Sequence, residues 1–169
     1  MWQANVAFDN LKIKEKFKID ELLIEDFFQK IVEKSQDIDG FLKVKKLINE
    51  DVKYVEILFC EDSAMVNYQS KYRDKNITTD VLSFCNIEGL DGKQIQELKI
   101  NTLGQIIISP YVVQKNSQEN NRVFLQELAD VIVHGWLHLL GYDHVDCEEQ
   151  AKEMFNIQES LIAECKLIN

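Results

Sequence analysis

The sequence predicts an α+β fold, a small mixed β-sheet covered by helices. Three observations carry this. Runs rich in β-branched and aromatic residues fall mostly in the middle of the chain. Segments with apolar residues three and four apart dominate the last third and also occur near the start. The two kinds intermix without regular alternation, which favours a sheet with helices packed on it over a doubly wound arrangement. The sequence contains no internal repeat, low-complexity tract or Pro/Gly/Ser linker, and Pro110 is the sole proline. At 169 residues the expectation is a single hydrolase-sized domain over 1–169 with a sizeable core.

Taken in order, NVAF (5–8) reads as a short strand. Residues 19–34 place Leu22, Leu23, Phe27, Phe28, Ile31 and Val32 at helical spacing, with Asp20 as the N-cap. FLKVKKLIN (41–49) reads as a second helical piece, VKYVEILFC (52–60) as a strand and SAMVNYQSKYR (63–73) as a helix. TDVLSF (79–84) and LGQIIIS (103–109) are strands, separated by a Gly- and acid-containing connection over 88–99. A short helix follows Pro110, and a long one runs from about 122 to 140. The last helix begins near Cys147 and reaches about Glu164, with Ala151, Met154, Phe155, Leu161, Ile162 and Cys165 as its apolar stripe.

No apolar run reaches the ~18 residues that suggest a membrane span, and the longest, 131–142, contains two histidines. The N-terminus has no basic region followed by an apolar stretch, so a cytoplasmic protein with no membrane partner is expected. Cys60, Cys85, Cys147 and Cys165 form no C-x-x-C pair and read as small apolar residues, Cys147 in the first turn of the last helix. A net charge of −10 excludes a general nucleic-acid coat but leaves room for a local basic groove. Basic clusters occur at LKIKEKFK (11–18), KVKK (43–46) and KYRDK (71–75), and the last is the one that borders a motif.

The three histidines of the chain, His134, His138 and His144, all lie in HGWLHLLGYDH. Residues four apart on a helix point nearly the same way, so His134 and His138 can aim at one point. His144 would turn away if the helix continued. Gly141 stands where a left-handed cap can end it and return His144 to the other two. Three histidines leave a fourth position on a single zinc ion for water, the layout of a catalytic site. The spacing H-x3-H-x2-G-x2-H is that of the metzincin proteases, but Gly135 stands where those enzymes carry their general-base Glu. The site therefore holds a metal but lacks the protease base, and an open, Gly-floored approach suits a phosphodiester. Asp146 and Glu149 form a D-x-x-E capping pattern for the last helix. Glu127 and Asp130 lie on the same helix side as His134, either as carboxylates supporting its ring or as exposed charges.

HGWLHLLGYDH resembles the signature H-G-x-L-H-L-x-G-Y-D-H of the YbeY family of bacterial rRNA-maturation endoribonucleases, at every fixed position. NYQSKYRDKNITTDVLSF (67–84) resembles that family's N…Y-R…T-D-V-L-S-F segment, and LGQIIIS resembles its L-G-D-I-x-I-S. Together the blocks span about half the chain, in the family's order. The resemblance implies a metzincin-like zinc-hydrolase arrangement with one zinc-type ion on His134, His138 and His144. It implies metal-dependent cleavage of single-stranded RNA in 16S rRNA 3′-end maturation and ribosome quality control, with the small-subunit rRNA precursor and the small ribosomal subunit as partners. The family's functional arginine falls on Arg73, as a catalytic phosphate clamp. Two positions depart: Gln105 replaces the Asp of L-G-D-I, and Cys85 replaces the usual proline after T-D-V-L-S-F. Whatever that Asp does is not carried over. The other readings are a metalloprotease-like hydrolase, and a ribosome-assembly binding protein whose metal is structural.

Overall fold

The computed structural model describes residues 2–48, 54–144 and 147–167. Its elements are β1 (Gln3–Phe8), α1 (Leu11–Phe17), α2 (Glu21–Lys34), α3 (Asp39–Leu47), β2 (Tyr54–Phe59), α4 (Asp62–Arg73), β3 (Val81–Cys85), α5 (Gly92–Glu97), β4 (Thr102–Ile108), α6 (Pro110–Glu119), α7 (Phe124–Leu139) and α8 (Glu148–Glu164). The strands form one sheet in the order β1-β2-β4-β3. β1, β2 and β4 run parallel, with Ala4 opposite Val55 and Ile57 opposite Ile106, while β3 closes one edge antiparallel with Ser83 opposite Ile106. The expected small mixed sheet is therefore present, and the parallel pairs are joined through helices as parallel strands require.

Local chemistry explains most of the helix boundaries. The Asp20 carboxylate accepts the Leu22 N–H at 3.0 Å and opens α2, as its sequence predicts. Ser109 and Pro110 open α6 in the same sense, a hydroxyl cap followed by proline at the first helical position. Two helices went unread in the sequence. α1 occupies the 11–18 basic cluster, capped by Asn10 and burying only Ile13. α5 sits inside the 88–99 connection, nucleated by a reciprocal Asp91–Gln94 capping box. α2 buries Ile24, Phe27, Phe28, Ile31 and Val32, while Leu22 is exposed, so the apolar stripe is rotated by one position at its start.

The main core lies between the sheet and the α2–α7 layer, and α4 covers the opposite face by packing Met65 with Leu82 and Ile107. Trp136 of α7 is fully buried at its centre. Its ring meets Phe28 edge-on at 5.3 Å and Trp2 at 6.0 Å. The indole N–H donates to Ser35 Oγ at 3.0 Å, and Ser35 donates on to the Ile31 carbonyl at 2.7 Å, so both polar groups of this buried pair are hydrogen-bonded.

Helix α7 crosses β3 and β4 at a glycine contact. A Cβ on Gly135 would stand 2.7 Å from Ile106 Cγ2 and 3.1 Å from Ser83 Oγ. A Cβ on Gly104 of β4 would meet the Phe84 carbonyl oxygen at 2.3 Å and Leu139 of α7 at 2.7 Å. Gly135 is thus buried between helix and sheet and does not floor an open approach, which corrects the expectation drawn from the sequence. Helix propensity alone favours Gly135→Ala by about 1 kcal/mol. The crowding against β-branched Ile106 reverses that sign, and a net destabilisation of about 1–3 kcal/mol is expected in urea unfolding.

Candidate metal centre

His134 and His138 stand one turn apart on α7, and their Nε2 atoms are 3.1 Å apart. Helix α7 then stops at a Schellman turn. Gly141 has φ +86, its N–H bonds the His138 carbonyl at 3.0 Å, and the Tyr142 N–H bonds the Leu137 carbonyl at 3.1 Å. The glycine break expected at this position is therefore present, and it turns the chain back. Tyr142 anchors the returning loop, because its hydroxyl accepts the Gly40 N–H at the start of α3 at 3.1 Å. His144 follows, with ring centroids 5.2 Å from both His134 and His138. One nitrogen from each of the three rings lies within 4.8 Å of the others, so the cluster could hold a metal ion.

Surrounding contacts fix the rings from outside. His134 Nδ1 faces Gln158 Oε1 of α8 at 3.0 Å. His144 stacks on Phe155 of α8 with centroids 5.9 Å apart and planes at 26°. Phe155 was read in the sequence as part of the inward stripe of α8, but it is 47% exposed and its ring serves the histidine. Glu127 and Asp130 do not support His134. Both bind Arg122, Glu127 at 3.1 Å and Asp130 in a close ion pair. Neither is the exposed charge of the alternative reading, since Glu127 is buried and Asp130 half-buried. Cys147 is the N-cap residue of α8, and among the described residues the cluster consists of the three histidines alone. The partner in the predicted capping pair, Asp146, lies outside the described residues.

The histidines open into a cavity of about 780 Å³, also lined by Gln69, Arg73, Lys75, Ser83 and Cys85. Arg73 ends α4 and is exposed. Among the described residues no carboxylate pairs with it, whereas Arg122, the second arginine, is consumed by Glu127 and Asp130. The departure at Gln105 falls elsewhere. Its neighbours Gly104 and Ile106 face α7, so Gln105 faces the opposite side of the sheet, where its amide donates to Glu56 of β2 at 3.0 Å. Cys85, in the position of the usual proline, lines the cavity, and burial pushes its thiol up.

Burial drives His138 down to about 4, and its neighbours His134 and His144 add to the effect. His134 is lowered too, by burial first, against the opposing Gln158 hydrogen bond. Neutral imidazole is the form that ligates a metal. An unfolded histidine titrates near 6.5, so below that pH the unfolded chain binds more protons than the folded one, and stability falls with acidity. Metal-free protein should lose stability progressively from about pH 6.5 down to about pH 4, the folded value of His138. Urea midpoints across that window check this, with a His138→Gln variant expected to show the shallower decline.

Comparison with known proteins gives the family and the fold. The family model described as Endoribonuclease YbeY matches residues 10–166. An Endoribonuclease YbeY of Thermodesulfovibrio yellowstonii is 34% identical over 146 residues, covering 82% of this chain and 88% of the relative. One from Lactobacillus helveticus is 36% identical over 132 residues, 75% of each chain. The solution structure of TM1509 from Thermotoga maritima superposes with a TM-score of 0.55 at 24% identity, over 96% of this chain and 88% of that one, a likeness of fold. With a profile that spans nearly the whole sequence and relatives alike over most of their length, the chain belongs to the endoribonuclease YbeY family.

Proposed function

We propose that this protein is a metal-dependent endoribonuclease that hydrolyses phosphodiester bonds in single-stranded RNA, acting in 16S rRNA 3′-end maturation and ribosome quality control. The observation that carries the reading is the convergence of His134, His138 and His144 on one point at the wall of a cavity that the exposed Arg73 also lines. Family membership supplies the reaction class. The working unit is one domain over 1–169, and the cytoplasm is the proposed compartment. No helix among the described residues is long and apolar enough to cross a membrane.

The donor set fits zinc. Three imidazoles present nitrogen within 4.8 Å of each other, and the close approach of two Nε2 atoms suits a shared cation. One zinc ion on His134, His138 and His144 would supply Lewis acidity and positive charge at the phosphoryl group. Arg73 acts from across the cavity as a phosphate clamp. A guanidinium grips two phosphoryl oxygens through parallel hydrogen bonds and, unlike a lysine, holds them in one plane. Hydrolysis adds one water across the P–O bond, and the clamp resists rotation of the phosphate as charge builds on its oxygens. Lys71 and Lys75 flank Arg73, and Tyr72 between them is 51% exposed. Cations interleaved with an exposed ring are the composition of a single-strand track, and the family resemblance points to the small-subunit rRNA precursor, on the small ribosomal subunit, as the source of that strand.

The glycine contact favours this reading over a metalloprotease. The space beside residue 135 is filled by Ile106 and Ser83, leaving no room for a base at the protease position. A cluster of three histidines among the described residues also favours a catalytic ion over a structural one.

Arg73→Lys should keep the fold and the metal yet lose cleavage by on the order of 100-fold, because the charge stays and the fork goes. Single-turnover cutting of a labelled single-stranded RNA measures this, and wild-type rates in both Arg73→Lys and Arg73→Ala would reduce Arg73 to a surface charge. Purified protein should carry about one divalent ion, and a His134→Ala/His138→Ala double variant should carry almost none, since three ligands are already the minimum. Elemental analysis decides it, with casein as the substrate that the enzyme should leave intact.

A further inference from the structure

We infer that Gln158 is a positioning residue for the metal centre: its amide oxygen accepts a hydrogen bond from the Nδ1–H of His134, fixes that ring's tautomer and leaves Nε2 free to ligate. The inference rests on the metal reading above and extends it to a residue outside every motif described for the sequence.

Gln158 lies four residues after Met154 and three before Leu161, the two residues that α8 buries. It therefore occupies the inward side of the helix, where an amide costs free energy unless it is hydrogen-bonded. The partner shown for it is His134 Nδ1, at 3.0 Å. One turn earlier the same helix presents Phe155 to His144. Helix α8 thus supports two of the three rings from outside.

The tautomer matters because His134 Nε2 also lies 3.1 Å from His138 Nε2. A proton on His134 Nε2 would satisfy that pair internally and remove the lone pair that binds a cation. An acceptor at Nδ1 selects the other tautomer. Of the polar side chains lining the cleft beside His134, Glu127 Oε2 and Asp130 Oδ2 are held by Arg122, Asp130 Oδ1 makes no hydrogen bond to the ring, and Asp80 accepts the Val81 N–H and the Asn116 amide. Gln158 holds the position by distance. As a neutral acceptor, it orients the ring without adding negative charge to the site.

The test uses full-length protein with ¹⁵N-labelled histidine. Long-range ¹H–¹⁵N correlation on metal-free protein reads the tautomers, and competition with a chromogenic chelator reads zinc affinity. Wild-type His134 should carry its proton on Nδ1. Gln158→Leu should shift that proton toward Nε2 and weaken zinc binding by roughly 10–100-fold. Gln158→Glu, which keeps an acceptor, should retain the Nδ1 tautomer and bind zinc at least as tightly as wild type. That rescue separates positioning from packing and stands even if the leucine variant does not fold. A wild-type His134 protonated on Nε2, wild-type zinc affinity in a folded Gln158→Leu, or weakened affinity in Gln158→Glu each overturns the inference. A wild type that binds no zinc overturns the metal reading instead, and the tautomer spectrum still decides the hydrogen bond.

Discussion

Helix α7 lies so close to the β3–β4 edge that only glycine fits at the crossing, and the rest of the molecule is arranged around that contact. Residue 135 has Ile106 and Ser83 where a side chain would begin, and Gly104 receives Leu139 from above. With that face of the helix set, the 3.6-residue repeat assigns the others. Trp136 turns into the aromatic cluster with Phe28 and Trp2, and His134 and His138 turn toward the cavity. A rotation of α7 large enough to relieve residue 135 would pull the indole from Ser35 and swing both imidazoles off target. The centre is thus rigid because the core is.

The remainder of the site comes from parts of the chain far from α7 in sequence. Gly141 reverses the chain, Tyr142 ties the reversal to Gly40, and His144 arrives opposite its two partners. Helix α8 then covers the outer side of the rings with Gln158 and Phe155. One helix, α8, thus braces two of the three rings from outside α7, which is how a scaffold holds side chains to a fixed geometry.

The histidine cluster was legible in the sequence because it is local: an i, i+4 pair and a glycine cap act within eleven residues. The strands and longer helices were legible because burial imposes a period on them. What escaped depends on contacts between distant segments. α1 and α5 bury one residue each and owe their existence to caps, a signal too short to separate from a loop. The spacing of Glu127 and Asp130 left support for His134 and exposed charge equally open, and neither holds, because Arg122, only a few residues away, engages both. Gln158 had no local mark, since a glutamine on a helix stripe reads as an interruption until its partner 24 residues away is known. Gly135 was legible as a missing base but not as a packing site, because Ile106 lies on another element.

The Tyr142–Gly40 bond joins residues 102 apart, and the bond between His134 and Gln158 needs α8, which follows α7 in the chain. A ribosome releases a chain from its N-terminus, and segments fold as they emerge. By that order, α1 to α6 can be made, and the sheet paired, before a residue of the histidine cluster exists. Contacts between segments far apart in the chain form late. The histidine cluster is therefore assembled onto a sheet already made, and a fault in that sheet is inherited by the centre while a fault in the centre leaves the sheet intact.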